Sequence, residues 1–340
     1  MPPSPADSRR HVIDTAVKKE IGRGGPGAAI AVIEGGEVMR EGYGFADLDA
    51  NRKIDASTVF DLASMSKQFT AAIIMLLVED GEVSLTASIH TYLEKRLWPH
   101  HEPISVADLL RMTSGLPNYT DDDDSGGTND AVAKWAAERD WGPSGKEHDY
   151  CNTNYVLLAE IAKKVTGSKS FSALLTERIF SPLHMTGTVV LDRKGTKIPR
   201  RACGYSGKAA PKLVSGGKDD EGEDFQTGDG NVFSSIDDLV KWDAALRAGT
   251  LLMPESWTTM TTEHSRGTEG AYGFGFYVDK KRDLVHHPGE WAGTSTWMGR
   301  WGTGRAVIVL SNLDDVRRRV QGACRAETLG RAIGGAMWDR

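Results

Sequence analysis

Ser64 stands three residues ahead of Lys67 in the stretch "DLASMSKQF", immediately before the apolar run "TAAIIMLLV". A lysine is rarely buried without a partner, because its charge is costly to take out of water. Side chains three apart on a helix share a face, so this spacing lets a hydroxyl meet an amine. Burial disfavours the charged form of lysine, and a neutral or proton-sharing Lys67 could take the proton of Ser64. Ser64 would also sit at a helix N-terminus, where free N–H groups and the dipole favour an alkoxide or a nearby oxyanion. Ser66 is adjacent to Lys67 and points elsewhere on a helix. Chance supplies about one Ser-x-x-Lys in a chain of this length, and a second one, Ser215 with Lys218, is present. That pair lies in a Gly-rich charged loop, with no helix to hold its geometry.

Two further groups could join this chemistry. "DYCNTNY" holds the chain's sole Tyr-x-Asn, Tyr150 and Asn152. A tyrosine near Lys67 could shuttle a proton, with the positive charge favouring its phenolate. Asn152 offers an amide donor and acceptor to a substrate. The same residues also read as a turn before the helix "NYVLLAEIAKKVTG", with Asn152 or Thr153 as its cap. "VHHPGEWAGTSTWM" holds the sole His-x-Gly, His287 and Gly289, at the start of an expected strand. Gly289 would let a substrate approach the backbone, and the N–H of Glu290 could form an oxyanion hole with that of Ser64. Pro288 has no N–H, which suits an edge strand.

The elements that must position these residues follow from the patterning. A helix is expected over about Ser8 to Ile21. "GRGGPG" matches Gly-x-Gly-x-x-Gly, but it follows a helix and precedes a strand, the reverse of a dinucleotide site, so it reads as a connector. "AAIAVIEGGEVMREGYGFAD" reads as a hairpin turning at Gly35-Gly36. "AYGFGFYVD", "STWMGRW" and "RAVIVLSN" read as three more strands, followed by a helix from about Asp315 to Met337. Residues 61–262 read as mainly helical with polar loops, "TDDDDSGGTND" and "SGGKDDEGED" among them. The expected class is α/β of the α+β type. An antiparallel sheet built from both chain termini is flanked by helices and carries an inserted helical domain. Residues 1–60 and 263–340 would form the sheet domain and residues 61–262 the helical one, with the active site at their interface.

The order Ser-x-x-Lys, Tyr-x-Asn, His-x-Gly resembles the serine β-lactamase and penicillin-binding-protein superfamily. The closer likeness is to its class C branch, which includes esterases, D-aminopeptidases and D,D-peptidases. "FDLASMSKQFTAAIIMLLVEDGEVSL", "ISVADLLRMTSGLPNY", "GDGNVFSSIDDLVKWDAAL" and "HHPGEWAGTSTWM" with "AVIVLSNLDD" carry it over nearly the whole chain. The resemblance implies Ser64 as acylated nucleophile, Lys67 and Tyr150 as the proton-handling pair and Asn152 as a substrate ligand. His287 stands where class C β-lactamases usually carry a lysine that helps hold the β-lactam carboxylate. A largely neutral imidazole should bind that anion more weakly, and His287→Lys is expected to restore the grip. An esterase or D-amino-acid amidase or peptidase is therefore favoured over a true β-lactamase. An acyltransferase is an alternative, because another nucleophile can compete with water. A rival of another class is a non-catalytic binding or scaffold protein on the same fold.

Composition sets the outer limits. The chain has 340 residues and a net charge of −6, so it has no basic footprint for nucleic acid. Cys151, Cys203 and Cys324 are far apart and suggest neither a disulfide framework nor a zinc site. The Asp121 to Asp124 run has Val132 where a calcium loop needs its closing Glu. No metal and no cofactor is expected, and the partner is a small-molecule ester or amide. The N-terminus lacks the apolar core of a signal peptide and the longest apolar run is too short to span a bilayer. A cytoplasmic location without membrane contact is expected, although a cleaved export signal would leave the same residues.

Overall fold

Strand β1 (Ala28–Glu34) is buried almost throughout, and its residues divide by parity. Ala28, Ile30 and Val32 pack towards the terminal helices, while Ala29, Ala31 and Ile33 join the core of the helical half. A pleated strand imposes that period of two. Gly35 and Gly36 then turn the chain into β2 (Glu37–Tyr43) with φ of +59° and +88°. A two-residue hairpin turn of this hand needs both to be left-handed, which glycine allows without strain.

The computed structural model describes residues 5–21, 24–94, 104–122, 127–145, 147–207, 211–215, 225–314 and 324–338. Helix α1 (Pro5–Glu20) precedes the hairpin; β3 (Phe45–Asp47), β4 (Arg52–Lys53) and β5 (Phe60–Asp61) follow it. A 3₁₀ turn at Ala63–Ser66 opens α2 (Lys67–Glu79). Then come α3 (Val106–Leu110), α4 (Asn129–Ala137), α5 (Asn152–Thr166) and α6 (Phe171–Leu175). Short strands β6 (Val189–Val190), β7 (Gly204–Ser206), β8 (Lys212–Ser215) and β9 (Val232–Ser234) lead to α7 (Ile236–Ala248) and α8 (Pro254–Thr261). The chain ends in β10 (Ser265–Gly267), β11 (Gly270–Tyr272), β12 (Tyr277–Asp279), β13 (Leu284–Trp291), β14 (Thr294–Trp301), β15 (Arg305–Ser311), β16 (Leu313–Asp314) and α9 (Arg325–Trp338).

The main sheet is eight-stranded and antiparallel, in the order β10-β11-β12-β13-β14-β15-β1-β2. The two ends of the chain meet where β1 pairs with β15, Ala28 opposite Ser311 and Glu34 opposite Arg305. On one face α1 and α9 lay Ile13, Val17, Leu329 and Ile333 over Trp297, Val307 and Val309. On the other face a single core runs from Ala31, Ile308 and Leu310 into α2 and α5. Helix α2 is apolar nearly all round because it lies inside that core.

Several expectations need correction. "AYGFGFYVD" forms two strands, because the chain folds back at Gly273, whose N–H donates to the Phe276 carbonyl. The segment after residue 262 holds seven strands among the described residues, and the helical stretch carries β5 to β9 as short ladders. The first helix runs from Pro5 to Glu20, and the last begins at Arg325; residues 315–323 of its expected span lie outside the described residues. Gly22 of the "GRGGPG" connector, Asp123 and Asp124 of the acidic run, Lys218 and most of "SGGKDDEGED" also lie outside them.

Candidate active site

Three strands and one tight turn place Ser64. Leu62 donates its N–H to the Val232 carbonyl of β9. From β14, Thr294 Oγ1 donates to the Asp61 carbonyl and Thr296 Oγ1 to the Leu62 carbonyl, each at 2.8 Å. Asp61 Oδ1 accepts from the Ala63 N–H. Ala63 adopts a φ of +47°, a left-handed conformation that costs an L-residue of order 1 kcal/mol and persists because its surroundings fix it. Ser64 follows in the 3₁₀ turn. With three residues per turn, positions i and i+3 eclipse, so Lys67 comes directly over Ser64. Ser66 faces the other way, and its Oγ accepts from the Val232 N–H.

Lys67 is fully buried, and its ammonium uses all three donors. Nζ donates to Ser64 Oγ at 3.0 Å, to Asn152 Oδ1 at 2.7 Å and to the Asp229 carbonyl at 2.9 Å. It also lies 5.1 Å from the centre of the Tyr150 ring and 5.8 Å from that of Tyr155. Burial pushes the Lys67 pKa down to about 8, with the Asp229 carboxylate opposing. The amine thus sits at a proton affinity from which it can both hold and release a proton near neutral pH.

Tyr150 faces Ser64, but its ionisation runs against the sequence-based expectation. Desolvation of this partly buried ring outweighs the pull of the nearby Ser64 hydroxyl and holds the phenol well above its ordinary pKa. Lys67 therefore does not make Tyr150 a phenolate. The cation lies over the ring face, and its three donors are spent elsewhere. Asn152 is the first residue of α5, not its cap, because Cys151 holds that position without a side-chain bond. Asn118 Oδ1 satisfies the Asn152 N–H instead. Asn152 Nδ2 donates to Thr120 Oγ1 at 3.2 Å, and Oδ1 belongs to Lys67. Thr153 ties the preceding loop down by accepting from the Tyr119 N–H and donating to the Pro117 carbonyl.

The His-x-Gly residues lie inside β13, with His287 as the fourth of eight residues rather than the first. β12 pairs with β13 only as far as His286, so the strand is interior there and locally an edge from His287 onward. Pro288, opposite Trp297 on β14, is tolerated for that reason. His287 is 1% exposed. Nδ1 lies 2.6 Å from the Pro288 carbonyl and Nε2 lies 3.0 Å from the Tyr272 hydroxyl. The first contact requires Nδ1 to carry the proton, so Nε2 accepts from Tyr272. Burial, then the charge of Lys67, lowers its pKa to about 3. The imidazole is neutral with both nitrogens occupied. Burial and the field of Lys67 both work against the expected gain from His287→Lys, because the substitution would bury a second ammonium there.

Gly289 also plays a different part from the one its type suggested. A Cβ there would stand 2.1 Å from the Leu62 carbonyl oxygen, 2.3 Å from Thr296 Oγ1 and 3.1 Å from the Met65 nitrogen. The missing side chain lets the turn that carries Ser64 press against β13. Glu290 is the next residue along, opposite Ser295. Gly289→Ala is expected to displace the turn, lowering stability by about 1–3 kcal/mol, as overpacking does. Thermal unfolding would check the stability loss, and Ser64 acylation rates the displacement. Wild-type values in both would show that the turn has room to spare.

Beside Tyr150 opens a cavity of about 560 Å³ between the β10–β11 hairpin and the loop before α5. Arg111 and Arg266 line it but are paired with Asp108 and Glu263. Glu147, Asp149 and Glu269 also line it, without a cationic partner among the described residues. Glu269 accepts a 2.6 Å bond from Tyr277, whose ring stacks on Tyr150 at 6.4 Å.

Sequence reasoning missed Asp229, Tyr119 and Tyr272. Asp229 lies in "TGDGNVF", where Gly228 takes a φ of +108° that brings the loop against Tyr155. The Gly-Asp-Gly run signals a special turn, but nothing in it says that the turn faces Lys67.

The family model described as Beta-lactamase matches residues 12–329. Protein flp of Staphylococcus aureus (strain MRSA252) is 27% identical over 326 residues, covering 89% of this chain and 62% of that protein. The chain thus spans less than two thirds of that relative's length. Penicillin-binding protein 4* of Bacillus subtilis (strain 168) is 28% identical over 310 residues, 84% of this chain and 68% of the relative. The solved structure of D-amino acid amidase from Ochrobactrum anthropi SV3 with D-phenylalanine is similar at a TM-score of 0.79 and 26% identity, covering 98% of this chain and 100% of that one. Among the described residues, no helix is long and apolar enough to cross a membrane, and no group of three or more His, Cys, Asp or Glu could hold a metal ion.

Proposed function

The chain belongs to the Beta-lactamase family, and from that premise we propose that it is a serine hydrolase cleaving a small ester or amide through an acyl-Ser64 intermediate. The observation that carries this reading is the buried Lys67 amine, 3.0 Å from Ser64 Oγ with a pKa near 8. Neutral Lys67 takes the hydroxyl proton as Ser64 Oγ bonds to the substrate carbonyl carbon. Tyr150, held as a phenol, hands a proton to the departing alkoxide or amine and is refilled from Lys67. The C–O or C–N bond breaks, leaving the acyl group on Ser64. Water then adds, its proton passing to the same pair, and the acid leaves as Ser64 regains its hydrogen. The N–H groups of Ser64 and Glu290 stabilise the oxyanion in this reading, and Asn152 orients Lys67 and the substrate. Residues 1–60 with 263–340 supply the sheet and 61–262 the helical half, with the site where they meet.

Two features favour neutral esters and amides over anionic β-lactams. His287 has no charge and no spare donor to offer a carboxylate. The neighbouring cavity carries Glu147, Asp149 and Glu269 without matching cations among the described residues. The likeness to the D-amino acid amidase supports including D-amino-acid amides. A charge-assisted hydrogen bond to a carboxylate contributes roughly 1.5–3 kcal/mol. Its lack should lower kcat/KM for nitrocefin by about 10- to 150-fold relative to a neutral ester. A panel of p-nitrophenyl esters, D-alanyl anilides and nitrocefin tests this. Nitrocefin turnover as fast as the best ester would reject the substrate class; no turnover and no acyl-Ser64 with any substrate would reject the function.

A further inference from the structure

Asp229 is the buried titratable group that the reaction above leaves unused. It is 7% exposed. Its carbonyl oxygen takes one hydrogen of the Lys67 ammonium at 2.9 Å. In its carboxylate, Oδ2 accepts from the Tyr119 hydroxyl at 2.8 Å and Oδ1 is buried without a hydrogen-bond partner. We propose that Asp229 is a positioning residue whose sequestered carboxylate sets how readily Lys67 gives up its proton, acting through its field while its carbonyl fixes the amine.

The surroundings of Lys67 isolate that role. Its own turn and helix bring Ser64, the loop before α5 brings Tyr150 and Cys151, α5 brings Asn152 and Tyr155, and β13 brings His287. Tyr150, Tyr155 and Cys151 are all held protonated at neutral pH by burial, and His287 is held neutral. Asp229 is the one carboxylate acting on Lys67 among the described residues, and its charge opposes the desolvation of the amine. Burial raises the pKa of Asp229 itself, while Lys67 and the Tyr119 hydroxyl oppose that rise and favour the carboxylate. Tyr119 therefore serves Lys67 at one remove, by fixing the carboxylate of its neighbour.

This inference rests on the acyl-Ser64 reading, and its test separates the two. The pH dependence of kcat/KM for p-nitrophenyl acetate is measured for wild type, Asp229→Asn, Asp229→Ser and Asp229→Glu, with acyl-Ser64 verified by mass. Removing the carboxylate takes away a charge that holds the Lys67 proton, so the limb belonging to Lys67 moves to lower pH. The expected displacement is about one pH unit or more in the Asn and Ser variants. Asp229→Glu, which keeps the charge, should lie close to wild type. A limb that stays in place in a folded Asn or Ser variant, whatever its activity, overturns the inference. The Ser variant keeps the test open if the Asn variant fails to fold. Absence of acyl-Ser64 in wild type overturns the functional reading instead.

Discussion

Ser64→Ala will lower ester turnover by roughly 10⁴-fold or more, the scale on which removing an activated serine nucleophile acts. No fluorophosphonate adduct will form on the peptide containing residue 64. The fold should persist, because the turn is held by backbone and threonine bonds that do not pass through the Ser64 hydroxyl. Ser66→Ala is the internal control. It loses the hydroxyl that accepts from Val232, a stability cost of about 1 kcal/mol, but should keep most of its turnover. Ser64→Ala retaining wild-type turnover, or an adduct on Ser66, would remove Ser64 from the mechanism.

The second large effect concerns the proton. Lys67→Met should lower kcat by about 10²–10⁴-fold, and Tyr150→Phe by about 10²-fold or more, as loss of general acid–base help does. In the proposed mechanism the two groups share one proton route, so the double variant should be little worse than the poorer single one. Multiplicative losses would mean independent roles. The pH profile carries the sign. Lys67 is a cation below its pKa and a base above it, so kcat/KM should rise with pH through a midpoint near 8. Lys67→Met should abolish that limb. A profile flat between pH 7 and 9 in the wild type would show that the neutral amine is not the base.

The parts of the site legible in the sequence were those set locally. Ser64 and Lys67 are three residues apart, and any tight helical geometry brings them together. β1 was legible because the β-rich run "AAIAVI" is followed by Gly35-Gly36 and a second β-rich run. Residues whose roles depend on distant packing were misread. From its type alone Gly289 reads as an opening for substrate, whereas its neighbours are Leu62 and Met65, more than 220 residues earlier. Tyr150 was expected to ionise, because proximity to a cation can be guessed from a motif and burial cannot. Asp229 touches Lys67 through its backbone carbonyl, and a carbonyl is present in every residue, so side-chain type gave no sign of it. Gly273 split one expected strand into two because a single glycine in a β-rich run is compatible with either a strand or a turn.

The seam between β1 and β15 bears on how the protein is made. Gly27 and Ser311, joined by a hydrogen bond at that seam, are 284 residues apart. On the ribosome the β1–β2 hairpin emerges early, with one side of "AAIAVI" unpaired until β15 has been synthesised. At 5–20 residues per second that wait lasts on the order of 15–60 s. During it an apolar strand edge is open to other nascent chains, and loop closure over this span makes the final pairing slow. Soluble yield should therefore fall with translational pauses before residue 305. Arg9 of α1 and Trp338 of α9 both bond to Glu34, so the two terminal helices lie side by side and a short linker can join them. A circular permutant opened in the Thr262–His264 connection would deliver β10 to β15 just before β1, and the sheet could close before the helical half left the ribosome.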